Sequence, residues 1–123
     1  MNKILIVDDD RSVAEMVRMA LEENGYAVVT SPSAEDAKKA IATERPAIAL
    51  IDIILPGQGG MDLILDLHSL YPDLKIIITS GKIDMNKSTF KVLAHQFGVM
   101  AILPKPFTIE ELMTAVVDAE KQA

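Results

Sequence analysis

The 123-residue sequence predicts an α/β fold, a doubly wound five-stranded parallel sheet with five helices on its two faces. Three observations carry that expectation. Short runs that are apolar throughout and rich in β-branched residues recur along the chain, as strands covered on both faces require. Between them lie stretches with helical periodicity and legible ends. The two rhythms alternate, which is the pattern of successive βαβ units.

Ile4–Val7 is the first strand. Ser12 and Glu15 form a capping box for the first helix, whose inner face is Val13, Met16, Val17, Ala20 and Leu21; Gly25 closes it. Tyr26–Thr30 is a second, weaker strand. Ser33 precedes the second helix, with Ala37, Ala40 and Ile41 inward and Pro46 beyond its end. Ala47–Ile53 is the third strand, and Met61–Leu70 the third helix, stopped before Pro72. Lys75–Thr79 is the fourth strand, and Ser88–Phe97 the fourth helix, ending at Gly98. Met100–Leu103 is the last strand. Thr108 and Glu111 form another capping box, opening a fifth helix with Leu112, Met113 and Val116 inward. No linker, repeat or low-complexity stretch interrupts this order, so residues 1–123 read as one domain.

Half of the residues are apolar, enough for a core, and that core must be aliphatic, because there are no Trp, two Tyr and three Phe. Met16, Met19 and Met113 fall at helical spacing and read as packing. A net charge of −6 argues against direct nucleic-acid binding, which needs a basic footprint. The absence of cysteine excludes disulfides and thiolate metal sites. The first apolar run is too short for a signal peptide, and no run approaches the roughly 20 residues that span a bilayer. The expectation is a cytoplasmic protein without membrane insertion.

In open α/β sheets, chemistry collects beyond the carboxyl ends of the strands. Asp8, Asp9 and Asp10 follow the first strand, and Asp52 ends the third. Thr79-Ser80-Gly81 ends the fourth, and Pro104-Lys105-Pro106-Phe107 follows the fifth. The topology gathers carboxylates, a hydroxyl and one lysine at a single rim. Clustered carboxylates repel unless a cation neutralises them, and all-oxygen donors suit a hard ion such as Mg²⁺. Metal, nucleophile, hydroxyl donor and cation are the parts that phosphoryl transfer uses. Taken singly, Asp52 is a turn or capping residue, Thr79 a strand former and Lys105 a solvated lysine. The convergent set is the signal.

That set, Asp8-Asp9, Asp52, Thr79 and Lys105-Pro106-Phe107, resembles the receiver domains of two-component response regulators over essentially the whole chain. The resemblance implies a flavodoxin-like (CheY-like) fold with strand order 2-1-3-4-5. It implies Asp52 as phospho-acceptor and Asp8, Asp9, Asp52 and the Ile54 carbonyl around Mg²⁺, with Asp8 acting mainly through a bound water. Thr79 and Lys105 are implied to contact phosphoryl oxygens, with a cis peptide before Pro106. It further implies a phosphohistidine donor on a sensor histidine kinase or histidine phosphotransfer protein, and a downstream protein target. Such a switch is no enzyme beyond its own Mg²⁺-dependent phosphorylation and dephosphorylation, and it changes its surface around the fourth helix and fifth strand. Met1 and the short tail favour a free-standing receiver over a piece of a larger regulator.

Three features depart from the family pattern. Ile102 occupies the place of a customary aromatic switch residue. The segment Gly81–Lys87 is long and polar, and Gly57-Gln58-Gly59-Gly60 is glycine-rich, which predicts a flexible loop beside Asp52. Asp10 is assigned to the N-terminus of the first helix rather than to the metal. His68 and His95 read as surface or half-buried helix residues, and Glu22, Glu23, Glu110 and Glu111 as a solvated face. Two other readings stay open: a receiver-like binding module that signals without phosphorylation, and a haloacid-dehalogenase-type phosphatase built on Asp8-x-Asp10. The latter has no role for Asp52, and the chain is short for that fold.

Overall fold

The computed structural model describes residues 2–55, 57–81, 92 and 96–122. Its five strands, β1 (Lys3–Val7), β2 (Ala27–Ser31), β3 (Ile48–Asp52), β4 (Lys75–Ser80) and β5 (Val99–Pro104), form one sheet. All pairings are parallel, and the order is β2-β1-β3-β4-β5. Four helices are delimited among the described residues: α1 (Arg11–Glu23), α2 (Ala34–Glu44), α3 (Gly60–Leu70) and α4 (Ile109–Lys121). The solid apolar runs β1, β3 and β4 are the interior strands, where both faces are covered. The weaker run, β2, lies at an edge and is partly exposed, as its polar end suggests.

Alternation along the strands sorts the core into two layers. Leu5, Val7, Ala49 and Ile51 face α2 and α3, meeting Ala37, Ile41, Leu63 and Leu67. Ile4, Ile6, Ile48 and Leu50 face α1 and α4, meeting Val17, Leu21, Leu112 and Val116. The sheet is therefore doubly wound, with helices on both sides.

Most expected ends hold. Ser33 caps α2 by accepting from the Asp36 N–H, and Thr108 and Glu111 form the full capping box of α4. Gly25, just past α1, has φ +91°, a left-handed conformation that glycine adopts without steric cost. Ala47 and Ile53 flank β3 rather than belonging to it, yet stay tied to the sheet through Lys3 O at 2.9 Å and Thr79 O at 3.1 Å.

Two expectations fail. The cap of α1 is Asp10, whose carboxylate accepts from the N–H groups of Ser12 and Val13. Ser12 thus falls inside the helix, and Glu15 pairs with Arg18 on the surface instead of completing a box. Met16 and Met19 are 46 % and 52 % exposed, so neither is a core residue; the smaller Ala14, Val17 and Ala20 fill the close contact with the sheet. Met113 does pack, as a partly buried residue against the α1/α4 layer. The helix expected over Ser88–Phe97 lies, apart from Val92, Gln96 and Phe97, outside the described residues, as do His95 and Lys82–Lys87. Val92, Gln96 and Phe97 are helical. Among the described residues no helix is long and apolar enough to cross a membrane.

The N-terminus of β2 is tied to the end of α4. The Tyr26 hydroxyl donates to Glu120, which also accepts from the Asn2 side-chain amide at 2.7 Å. Burial, reinforced by the hydrogen bond and charge of Glu120, pushes the Tyr26 phenol up to about 12. A raised phenol pKa means that the neutral form is favoured in the fold. Its contribution is fully present below the unfolded value near 10 and is lost as pH climbs toward 12. Tyr26→Phe is expected to cost about 1 kcal/mol near neutral pH. Urea unfolding followed as a function of pH should show the gap between wild type and variant closing over that alkaline window.

Candidate functional site

The same alternation that sorts the core also aims the polar residues at the strand ends. Ile4 and Ile6 of β1, Ile48 and Leu50 of β3, Ile77 of β4 and Leu103 of β5 all point toward α1 and α4. Two residues further along those series stand Asp8, Asp52, Thr79 and Lys105. Register brings them level: Val7 pairs with Ile51, and Asp52 with Thr79. Four groups far apart in sequence thus share one rim of the sheet, on one side.

The rim is a sparsely hydrated place for charge. Asp8, Asp52 and Thr79 are only 5 %, 6 % and 5 % exposed. The Lys105 ammonium lies between the two carboxylates, donating to Asp8 Oδ2 at 2.9 Å and to Asp52 Oδ2 at 3.0 Å. Burial alone lowers the lysine pKa, but the hydrogen bonds and charges of Asp8 and Asp52 outweigh it and hold the group above its ordinary value. The remaining carboxylate oxygens are also engaged. Asp8 Oδ1 accepts from the Asp10 N–H at 2.9 Å, and Asp52 Oδ1 from the Ile54 N–H at 3.0 Å. Asp9 is exposed, yet one oxygen from each of Asp8, Asp9 and Asp52 lies within 4.8 Å of the others. The aim of Lys105 is fixed by its backbone: its N–H donates to Ser80 O at 2.7 Å, and the Lys105–Pro106 peptide is cis.

The segment after Asp52 is more constrained than its glycines suggest. Gly60 is the first residue of α3, and its N–H donates to Ile53 O at 3.0 Å. A Cβ there would sit 2.3 Å from Asp52 O and 2.6 Å from Ile53 Cα. Only glycine lets the start of α3 close this tightly on the acceptor strand. The expectation of a uniformly flexible loop is therefore corrected at its end, where Gly60 is buried. Gln58 is also tethered, its amide donating to Asp66 Oδ2 at 2.8 Å.

Asp8, Asp9, Asp52, Thr79 and Lys105 are thus all brought together. Ile54 is adjacent, with its side chain 53 % exposed and its backbone N–H on Asp52. Asp10 stands apart as a cap. His68 is half-buried on α3, edge-on to Phe97 at 5.8 Å between ring centroids, and away from the acidic rim. Sequence reasoning missed the Ser80 carbonyl that positions Lys105 and the packing role of Gly60. The first carries no sequence signal, whereas the second could have been suspected from a glycine opening a helix.

A family model described as "response regulator receiver domain" matches residues 4–117. The chain belongs to that family. Among curated relatives of this receiver is the response regulator MprA of Mycolicibacterium vanbaalenii, 34 % identical over 111 residues that cover 90 % of this chain and 47 % of the relative. The chain thus spans about half the length of the curated relatives it matches. A CheY-like receiver domain protein of Methanospirillum hungatei superposes with a TM-score of 0.86 at 30 % identity, covering 100 % of this chain and 99 % of its own. The non-phosphorylated HemR receiver domain of Leptospira biflexa gives 0.87 over 100 % of this chain and 97 % of its own, at 20 % identity, a likeness of fold.

As a receiver, this chain has an aliphatic residue, Ile102, at the customary aromatic place. It is partly buried against the layer that faces α2 and α3, on the other side of the sheet from Thr79. The phosphatase reading loses its footing here, since Asp52, which has no part in it, is a member of the cluster and shares Lys105 with Asp8.

Two stability outcomes follow from the geometry. Lys105→Met should lower the unfolding free energy by about 2–3 kcal/mol in chelator-treated protein, because two buried carboxylates lose their counter-charge. Adding Asp52→Asn to that variant should recover part of the loss in the same urea titration. Gly60→Ala should cost about 1–3 kcal/mol by forcing α3 off the end of β3, read as a lowered thermal midpoint.

Proposed function

We propose that this receiver is a phospho-accepting switch in which Asp52 takes a phosphoryl group from a phosphohistidine of a sensor histidine kinase or histidine phosphotransfer protein. The observation that carries the reading is the Lys105 ammonium seated on Asp52 beside the Asp8–Asp9 pair. In the transfer, an Asp52 carboxylate oxygen forms a bond to phosphorus as the phosphorus–nitrogen bond breaks. The bonding pair leaves with the donor imidazole. Lys105, already at hydrogen-bond distance from Asp52, would neutralise one phosphoryl oxygen, and the Thr79 hydroxyl would donate to another. The Ile54 N–H holds the carboxylate by its Oδ1 edge. Charge neutralisation and positioning are most of what this reaction asks of a protein.

The donor set fits a hard divalent cation. Asp8, Asp9 and Asp52 offer oxygens within 4.8 Å of one another, and exposed Asp9 leaves the rim open to water ligands. We assign Mg²⁺ to Asp8, Asp9, Asp52 and the Ile54 carbonyl, with Asp8 acting mainly through water. Bound there, the ion supplies positive charge against the phosphoryl oxygens. Water then removes the phosphoryl group, so the chain is a signalling switch whose only chemistry is on itself. Its output would pass through β5 and the segment before it to a downstream protein target, with no direct nucleic-acid contact and from a cytoplasmic setting.

The aliphatic Ile102 favours a second reading, a module of receiver fold that signals without phosphorylation. Incubation with acetyl phosphate and Mg²⁺, followed by intact-mass spectrometry and peptide mapping, separates the two. One added phosphoryl group on Asp52, lost in Asp52→Asn and on chelation, is the expected result. An unmodified Asp52 would favour the second reading instead.

A further inference from the structure

After Asp52 the chain is held by the buried side chains of Ile53 and Leu55, and it then enters α3 through Gly57, Gln58 and Gly59, of which Gln58 alone carries a side chain. The two ends of this connection are fixed by backbone contacts: Ile54 N–H to Asp52 Oδ1 at one, Gly60 N–H to Ile53 O at the other. Between those ends Gly57 has φ +74°, and a Cβ at Gly59 would meet nothing within 4 Å. Glycine backbone carries more conformational freedom than any other, so this stretch needs restraint from elsewhere if it is to hold one shape. Gln58 supplies it. Its side-chain amide donates to Asp66 Oδ2 on α3 at 2.8 Å, and the same oxygen accepts from Lys38 Nζ on α2 at 2.9 Å. The one side chain of residues 57–59 is thereby anchored to a carboxylate that is itself anchored to a second helix.

We propose that Gln58 and Asp66, backed by Lys38, act as positioning residues for the acceptor site, holding the Ile54 stretch where its carbonyl serves the cation. The Asp66 carboxylate is held below its ordinary range, first by the Lys38 hydrogen bond and then by that of Gln58, so it remains an acceptor throughout the neutral range. None of the three residues touches the acidic rim, so their effect on it must travel through the loop. An isolated ion pair as exposed as Lys38–Asp66 adds little to stability. The prediction is accordingly a change in site function without a matching loss of fold. The inference rests on the phospho-acceptor reading of the site.

The test is a double-mutant cycle on the full chain with Gln58→Ala, Asp66→Ala and both together. Three quantities are measured: the Mg²⁺ dissociation constant by calorimetry, amide hydrogen exchange at residues 57–59, and the acetyl phosphate modification rate at saturating Mg²⁺. Each single variant should weaken Mg²⁺ binding by about threefold, or ~0.7 kcal/mol, and speed exchange at residues 57–59, with the thermal midpoint little changed. The double variant should be no worse than either single one, because the two side chains act as one unit. Gln58→Glu, which sets a second carboxylate against Asp66, should behave like the alanine variant, whereas Asp66→Asn should keep part of the function through its amide oxygen. If wild type binds Mg²⁺ and accepts the phosphoryl group while the variants match it in affinity and exchange, the strut is refuted and the site stands. Additive losses in the cycle also refute it. If wild type does neither, the reading of the site fails, and this proposal falls with it.

Discussion

Two carboxylates that are almost wholly shielded from water cannot sit side by side without a cation between them. In this receiver the cation in place is covalently part of the chain. Lys105 reaches back from the end of β5 to join Asp8 and Asp52, closing the rim from β5 past β4 and β3 to β1. The cost of burying the acids is thus offset within the fold. Everything that fixes Lys105, from the Ser80 carbonyl to the flanking prolines, serves this internal neutralisation.

The sheet achieves the convergence by repetition. Parallel strands in register, each ending in a polar residue of the same parity, must set those residues along one line. The order β2-β1-β3-β4-β5 then places β1 and β3 next to each other, so Asp8 and Asp52 become neighbours despite the helix-strand-helix connection between them. Short apolar runs and capping residues build the frame, and a one-residue slip in any run would turn its terminal side chain to the wrong face.

Much of this was legible in the residues themselves. Solid runs such as Lys75–Thr79 announce an interior strand, Thr108 with Glu111 announces a helix start, and the polar residues after each run mark the site. What escaped was decided by competition between neighbours. Asp10 belongs at the start of α1, as the sequence indicates, but it takes the cap itself, so the Ser12–Glu15 box does not form. Met16 and Met19 have the right spacing for a core face, but α1 lies so close to the sheet that alanine and valine occupy the contact and the longer side chains are left outside. The glycines after Asp52 suggested looseness, whereas the backbone of β3 leaves room for nothing larger at Gly60. Spacing reports direction, and it does not report the distance to the next layer.

The division of the core into two layers has an evolutionary reading. The reactive side chains continue the series of strand residues that rest on α1 and α4, whereas Ile102 rests on the opposite layer with α2 and α3. A change in side-chain size beneath the acidic rim would disturb the rim and the packing of α1 and α4 together. Substitutions on the far layer would change the packing against α2 and α3 without touching the side chains of the acidic rim. A lineage could in this way diversify its outputs by rewriting one side of the sheet.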